Sequence, residues 1–164
     1  MDANIGLCII FHNHQFVNHP SLPKSFDIVN DELEKALNEK FFPLIYENYS
    51  SELIVDTIKD IEQNEEFNNY GNFKFIFVTH AGRNAETKKN VIFGSDSEPF
   101  AVDHIVDLLD DTKCTNLRGK HKVFHFFTCD CVYPPIKEDL RTGFIEIGNG
   151  LLVVENVVRD MIIM

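Results

Sequence analysis

"FKFIFVTH" (73–80) and "KVFHFFTC" (122–129) decide how this chain is read. Each is a nearly continuous apolar run of strand length, and each ends in a side chain able to do chemistry. Strands buried on both faces look like this, because neither face alternates with polar residues. "GLCIIF" (6–11) is a third such run. Between the runs lie amphipathic stretches. Val29, Leu33, Ala36 and Leu37 form one stripe at helical spacing. Ile54, Ile58 and Ile61 form a second behind Ser50, a residue suited to cap a helix, and Val102, Ile105, Val106 and Leu109 form a third. Strands alternating with helices require crossovers, so the expected class is α/β: a three-layer sandwich, mostly parallel sheet with helices on both faces. Functional groups in such sheets collect beyond the carboxyl ends of the strands. His80 and Cys129 are therefore expected on one rim.

Composition narrows the partners. The 164 residues suit one domain with a sizeable core, and the 44% hydrophobic and 25% charged content is ordinary for a folded protein. With 26 acidic against 15 basic residues the net charge is −11, which disfavours nucleic acid and anionic membrane as partners. "MDANIGLCIIF" (1–11) has no basic leader and too short an apolar run for a signal peptide or a span. Four cysteines in that setting imply free thiols and a reducing, cytoplasmic location.

A thiol becomes a nucleophile when an imidazole can take its proton. His80 precedes Cys129 by about 50 residues, the His-to-Cys separation of caspases. Cys129 and Cys131 with His12 and His14 are also a conceivable zinc set. However, C-x-C with H-x-H departs from the two-to-four-residue gaps of structural sites, and no metal is assigned. A 129–131 disulfide would block the nucleophile, and the compartment argues against it at rest. Cys8 and Cys114 read as core sulfur. His12, His14 and His19 read as surface histidines, His104 and His121 as solvated, and His125 as a packed polar residue with a partner.

The surrounding residues resemble those of the caspase large subunit. "FKFIFVTHAG" (73–82) is similar to the family's apolar strand ending in Ser-His-Gly, and "NVIFGSD" (90–96) to its following short segment. "LLDDTKCTNLRGKHKVFHFFTC" (108–129) resembles the helix, the Cys-x-x-Leu-x-Gly-Lys-x-Lys link and the strand into the catalytic Cys. "GLCIIFHNHQF" (6–16) and "FDIVNDELEKAL" (26–37) are similar to the opening strand and helix. The resemblance implies that Cys129 attacks a peptide carbonyl and that His80 protonates the leaving amine. It implies an oxyanion held by the backbone N–H groups of Cys129 and Ala81, the latter at a family Gly position. No cofactor is implied.

The family pattern also fails in places. Gln-Ala-Cys-Arg-Gly is replaced by Phe127-Thr128-Cys129-Asp130-Cys131. Phe127 stands where the resemblance puts a Gln that binds a P1 aspartate. Pro23, beside Lys24, stands where it puts an Arg, and Lys cannot grip a carboxylate bidentately. Asp130 raises the neighbouring thiol's pKa by charge. Residues 1–131 read as a caspase large-subunit-like domain. Residues 132–164 read as a divergent tail unlike the family's small subunit. Within the tail, Asn149-Gly150 signals a hairpin, while Leu151, Val154, Val158 and Met161 fit a helix equally well. Two functions follow from the resemblance: a cysteine endopeptidase of the cell-death pathway acting on protein or peptide substrates with an impaired Asp pocket, or a non-catalytic regulator that binds complete caspases. Without a small subunit, the strand ending at Cys129 is expected to leave an apolar edge open to a second copy or a caspase partner.

Overall fold

The computed structural model describes residues 5–83, 90–110, 114, 116–129, 140–148 and 151–155; for 83, 90, 129, 140–148 and 151–155 the backbone alone is described. The elements run β1 (Gly6–His12), α1 (Ser25–Asn38), β2 (Phe41–Glu47), α2 (Ser51–Gln63), β3 (Asn72–Arg83), β4 (Asn90–Phe93), β5 (Pro99–Ala101), α3 (Val102–Leu108), β6 (His121–Cys129), β7 (Leu140–Gly148) and β8 (Leu151–Glu155), with a short 3-10 turn at Glu65–Phe67. The main sheet has the order β2-β1-β3-β6-β7-β8. The first four strands are parallel, and β7 and β8 add antiparallel to them. From β1 the chain goes to one side to make β2 and to the other to make β3. This reversal puts a crevice at the carboxyl ends of β1 and β3, where sites form in open α/β sheets.

Two cores sit on the two faces. Leu7, Ile9, Phe11, Phe73, Phe75, Phe77, Phe124 and Phe126 pack with Ile54, Ile58 and Ile61 of α2 and Ile105 and Val106 of α3. Their rings form rows across the strands, Phe11 on Phe77 at 5.2 Å and Phe77 on Phe126 at 5.0 Å. Cys8, Ile10, Ile76 and Val78 pack on the other face with Val29 and Ala36 of α1. The strand period of two thus feeds alternate residues to alternate helix layers, and the three-layer α/β class holds.

Several elements show why local reading succeeds or fails. Ser50 caps α2 as expected, its hydroxyl accepting from Leu53 N at 3.2 Å. α1 is turned relative to its expected stripe: Leu37 is exposed and Glu32 is buried in its stead. Lys35, at 3.2 Å from one carboxylate oxygen, and Lys74, at 3.9 Å from the other, supply the opposite charge that makes that burial tolerable. β2 escaped the sequence reading because Pro43 interrupts "FFPLIYE". It forms nonetheless as an edge strand, where a missing backbone donor costs nothing. The tail, left open between helix and hairpin, supplies the antiparallel strands β7 and β8, and Asn149-Gly150 lies outside the described residues. β7 pairs with β6 along Lys122–Cys129, so the edge expected there is covered by the chain itself. No described helix is long and apolar enough to cross a membrane.

Candidate active site

β3 and β6 run parallel from Asn72↔His121 to His80↔Cys129, the last register pair of the two strands. Adjacent strands lie about 4.8 Å apart, so the backbones of His80 and Cys129 are held at neighbour distance on one rim. β6 ends there as expected. β3 does not, and continues to Arg83 by switching to antiparallel pairing with β4, Ala81 opposite Ile92. Ala81 is buried and is absent from the residues with positive φ, so its methyl group replaces a glycine hydrogen without backbone strain.

The His80 ring is fully buried, and its Nε2 stands 2.7 Å from the Pro20 carbonyl. A carbonyl oxygen only accepts, so Nε2 carries the proton. In the neutral ring Nδ1 is then the basic nitrogen. Phe16 and His19 pack beside the ring at 4.5 and 5.7 Å between centroids. The Pro20 carbonyl was not legible from the sequence, since a backbone acceptor leaves no mark in a motif.

What holds Pro20 in place is the loop between β1 and α1. Asn13 N donates to Val78 O at 2.9 Å, Val17 N to Ser95 O at 3.1 Å, and Leu22 N to His14 O at 2.8 Å. The Asn13 side chain, fully buried, accepts from Tyr49 N at 2.9 Å and donates to Tyr49 O and Phe93 O. The Asn48 side-chain Oδ1 accepts from the backbone N–H groups of His14 and Gln15, both at 3.0 Å. Asn48 sits in the left-handed region (φ 55°), which Asn tolerates better than most residues. These two amides tie the loop to β2 and β4, and neither was singled out in the sequence.

Of the other expected positions, Phe127 is half-buried against the α1-side core, its ring 4.0 Å from that of His125. Pro23 and Lys24 are exposed at the start of α1. Asp130 and Cys131 lie outside the described residues. Cys8 and Cys114 are core sulfur as expected, and burial pushes the Cys8 thiol up to about 12. His104 and His121 are exposed. His12, expected at the surface, is instead buried at the end of β1. Burial, and secondarily His14, lowers its pKa to about 4. Its two nitrogens face Ser25 of α1 and Glu47 of β2, not the cysteine side of the sheet.

A scan against protein-family models matches the caspase domain over residues 5–145, from the start of β1 into β7. The chain belongs to the caspase-domain family. A search of curated proteins found no significant match. On the carboxyl rim of β3 and β6 the chain places a histidine and a cysteine, His80 and Cys129, in register.

Proposed function

We propose that this caspase-family chain is a cysteine endopeptidase domain with an intact His80/Cys129 dyad and a degraded Asp-P1 pocket. The observation that carries the reading is the pairing of His80 with Cys129, with the His80 ring oriented by Pro20. In this mechanism His80 takes the Cys129 proton and the thiolate adds to the substrate carbonyl carbon. The N–H groups of Cys129 and Ala81 receive the oxyanion. Collapse of the adduct breaks the C–N bond, and the proton on His80 leaves with the amine. Water then hydrolyses the thioester and regenerates the thiol. Phe127 and Pro23 offer no charged donor for a P1 aspartate, and a buried unpaired carboxylate costs several kcal/mol, on the order of 3–5. Weak or no cleavage after aspartate follows.

The test is a P1-scanning peptide library assayed with the full chain, alongside a carboxyl-activated covalent cysteine probe. Probe labelling at Cys129 that requires His80, with no Asp preference, supports the reading. Robust Asp cleavage abolished by Cys129→Ala removes the degraded pocket. Absence of labelling removes the enzyme.

A second reading is a regulator of complete caspases. It is favoured by β8, whose apolar sequence "LLVVE" (151–155) is the last strand of the sheet path among the described residues, the kind of position at which a second chain can add a strand. Stoichiometric full chain that leaves a purified caspase's activity unchanged, and that is monomeric at high micromolar concentration, rules this reading out.

A further inference from the structure

One ring nitrogen each of His12 and His14 and a carboxylate oxygen of Glu47 lie within 4.8 Å of one another. They come from the last residue of β1, the loop after it and the last residue of β2. Register creates the cluster: His12 is the parallel partner of Glu47, and His14 follows two residues later. Its position is on the carboxyl rim of the sheet, on the far side of β1 from β3 and β6.

The proton arrangement around His12 shows which of its nitrogens can accept a ligand. The Ser25 hydroxyl donates to the Leu22 carbonyl at 2.5 Å, so its oxygen can only accept from the ring. His12 Nε2, 2.6 Å away, must therefore carry the imidazole hydrogen. That leaves Nδ1 as a lone pair facing a Glu47 oxygen at 3.9 Å. The Nδ1 lone pair and the Glu47 carboxylate are thus two electron-pair donors facing each other. His12 is 1% exposed, whereas Glu47 is 56% exposed, so the carboxylate is free to swing onto whatever occupies the gap.

We propose that His12, His14 and Glu47 form a zinc-binding site that joins the β1–α1 loop to the end of β2. Two imidazoles and one carboxylate, with a water in the fourth position, are an established donor set for Zn²⁺. The supporting contacts are those a metal-bound histidine requires. Nε2 of His12 donates outward to Ser25, whose own hydrogen goes to a carbonyl, which fixes both ring and tautomer. Asn48 holds the His14 backbone at 3.0 Å and touches its Nε2 at 3.3 Å. This last contact is long, and a metal bond at Nε2 would replace it. A spread of up to 4.8 Å between ligand atoms exceeds that of a closed tetrahedron with bonds of about 2.0–2.2 Å. Rotation of the Glu47 and His14 side chains closes it.

The experiment uses tag-free full chain with Cys129→Ser and Cys131→Ser, so that no thiol at the rim competes for metal. Zn²⁺ is titrated against a chromophoric chelator in this background and in the same background carrying His14→Gln, Glu47→Gln or both. His12 is left alone because its bond to Ser25 is part of the fold. The expected result is one Zn²⁺ per chain, at least tenfold weaker binding in each single variant and none at this site in the double variant, with unchanged circular dichroism. Failure of the parent to compete with the chelator overturns the proposal, as does binding that is unaffected by the double substitution.

Discussion

His80 Nε2 donates to the carbonyl of Pro20 at 2.7 Å, across 60 residues of sequence. The bond places the hydrogen of the neutral ring on Nε2 and leaves the lone pair on Nδ1. Loss of the imidazole should slow Cys129 chemistry on the order of 100-fold, the usual contribution of a positioned general base. The measurement is the rate of iodoacetamide alkylation at Cys129, read by peptide mass spectrometry in a Cys131→Ser background at neutral pH. Cys8 and Cys114, both buried, serve as internal unreactive controls. An equal rate in His80→Ala would show that the ring does not act on this thiol.

Asn13 is the peg on which the loop hangs. Asn13→Ala leaves Tyr49 N–H, Tyr49 C=O and Phe93 C=O with one partner fewer each. We expect a loss of about 2–3 kcal/mol, because buried groups forfeit hydrogen bonds they cannot recover from water. Thermal melting should fall by about 4–12 °C for a chain of this size. A shift within a degree of the parent would mean that the loop is held by other contacts.

Gly94 lies against the start of α2. A methyl group there would meet the backbone nitrogen of Ser51, the Ser50 carbonyl carbon at 2.8 Å and the Asp96 carboxylate at 2.6 Å. Backbone atoms at a helix N-terminus cannot step aside without moving the helix. Gly94→Ala is expected to destabilise by about 1–3 kcal/mol through overpacking, measured by urea unfolding. Gly119, with φ 75° and open space around it, should instead lose stability only through its backbone conformation on substitution by Ala.

Burial, and then the charges of Lys74 and Lys35, lower the His125 pKa to about 3. The unfolded chain takes up a proton at about pH 6.5. Between those values the unfolded state binds more protons than the folded one, so stability falls as pH is lowered through about 6.5 and towards 3. From pH 7 to pH 5 this histidine should cost about 1–2 kcal/mol. Urea midpoints across that range, compared with those of His125→Phe, read the contribution as a difference in slope. Parallel slopes would show that His125 is not neutral in the folded protein.

How much of this was legible depends on the range of the forces involved. The parallel strands announced themselves because burial on both faces demands apolar runs. The helices were legible as elements because one buried face demands a stripe. The cap and stripe of α2 and the stripe of α3 are local, and they appear where the sequence places them. β2, the turned face of α1 and the strands of the tail are not local. Pro43 is tolerated only because β2 lies at an edge, and Glu32 only because Lys35 and Lys74 meet it.

By itself the sequence determined the α/β class, the caspase-domain resemblance and the placing of His80 and Cys129 at the ends of two apolar strands. Those follow from side-chain type, periodicity and spacing, which are properties of the chain in order. Tertiary structure alone decided that Pro20 orients His80, that Asn13 and Asn48 hold the loop, and that Glu47 faces His12. Each of these depends on a backbone acceptor, a buried amide or a strand register. Such partners are chosen by proximity after folding, and no local pattern in the sequence encodes them.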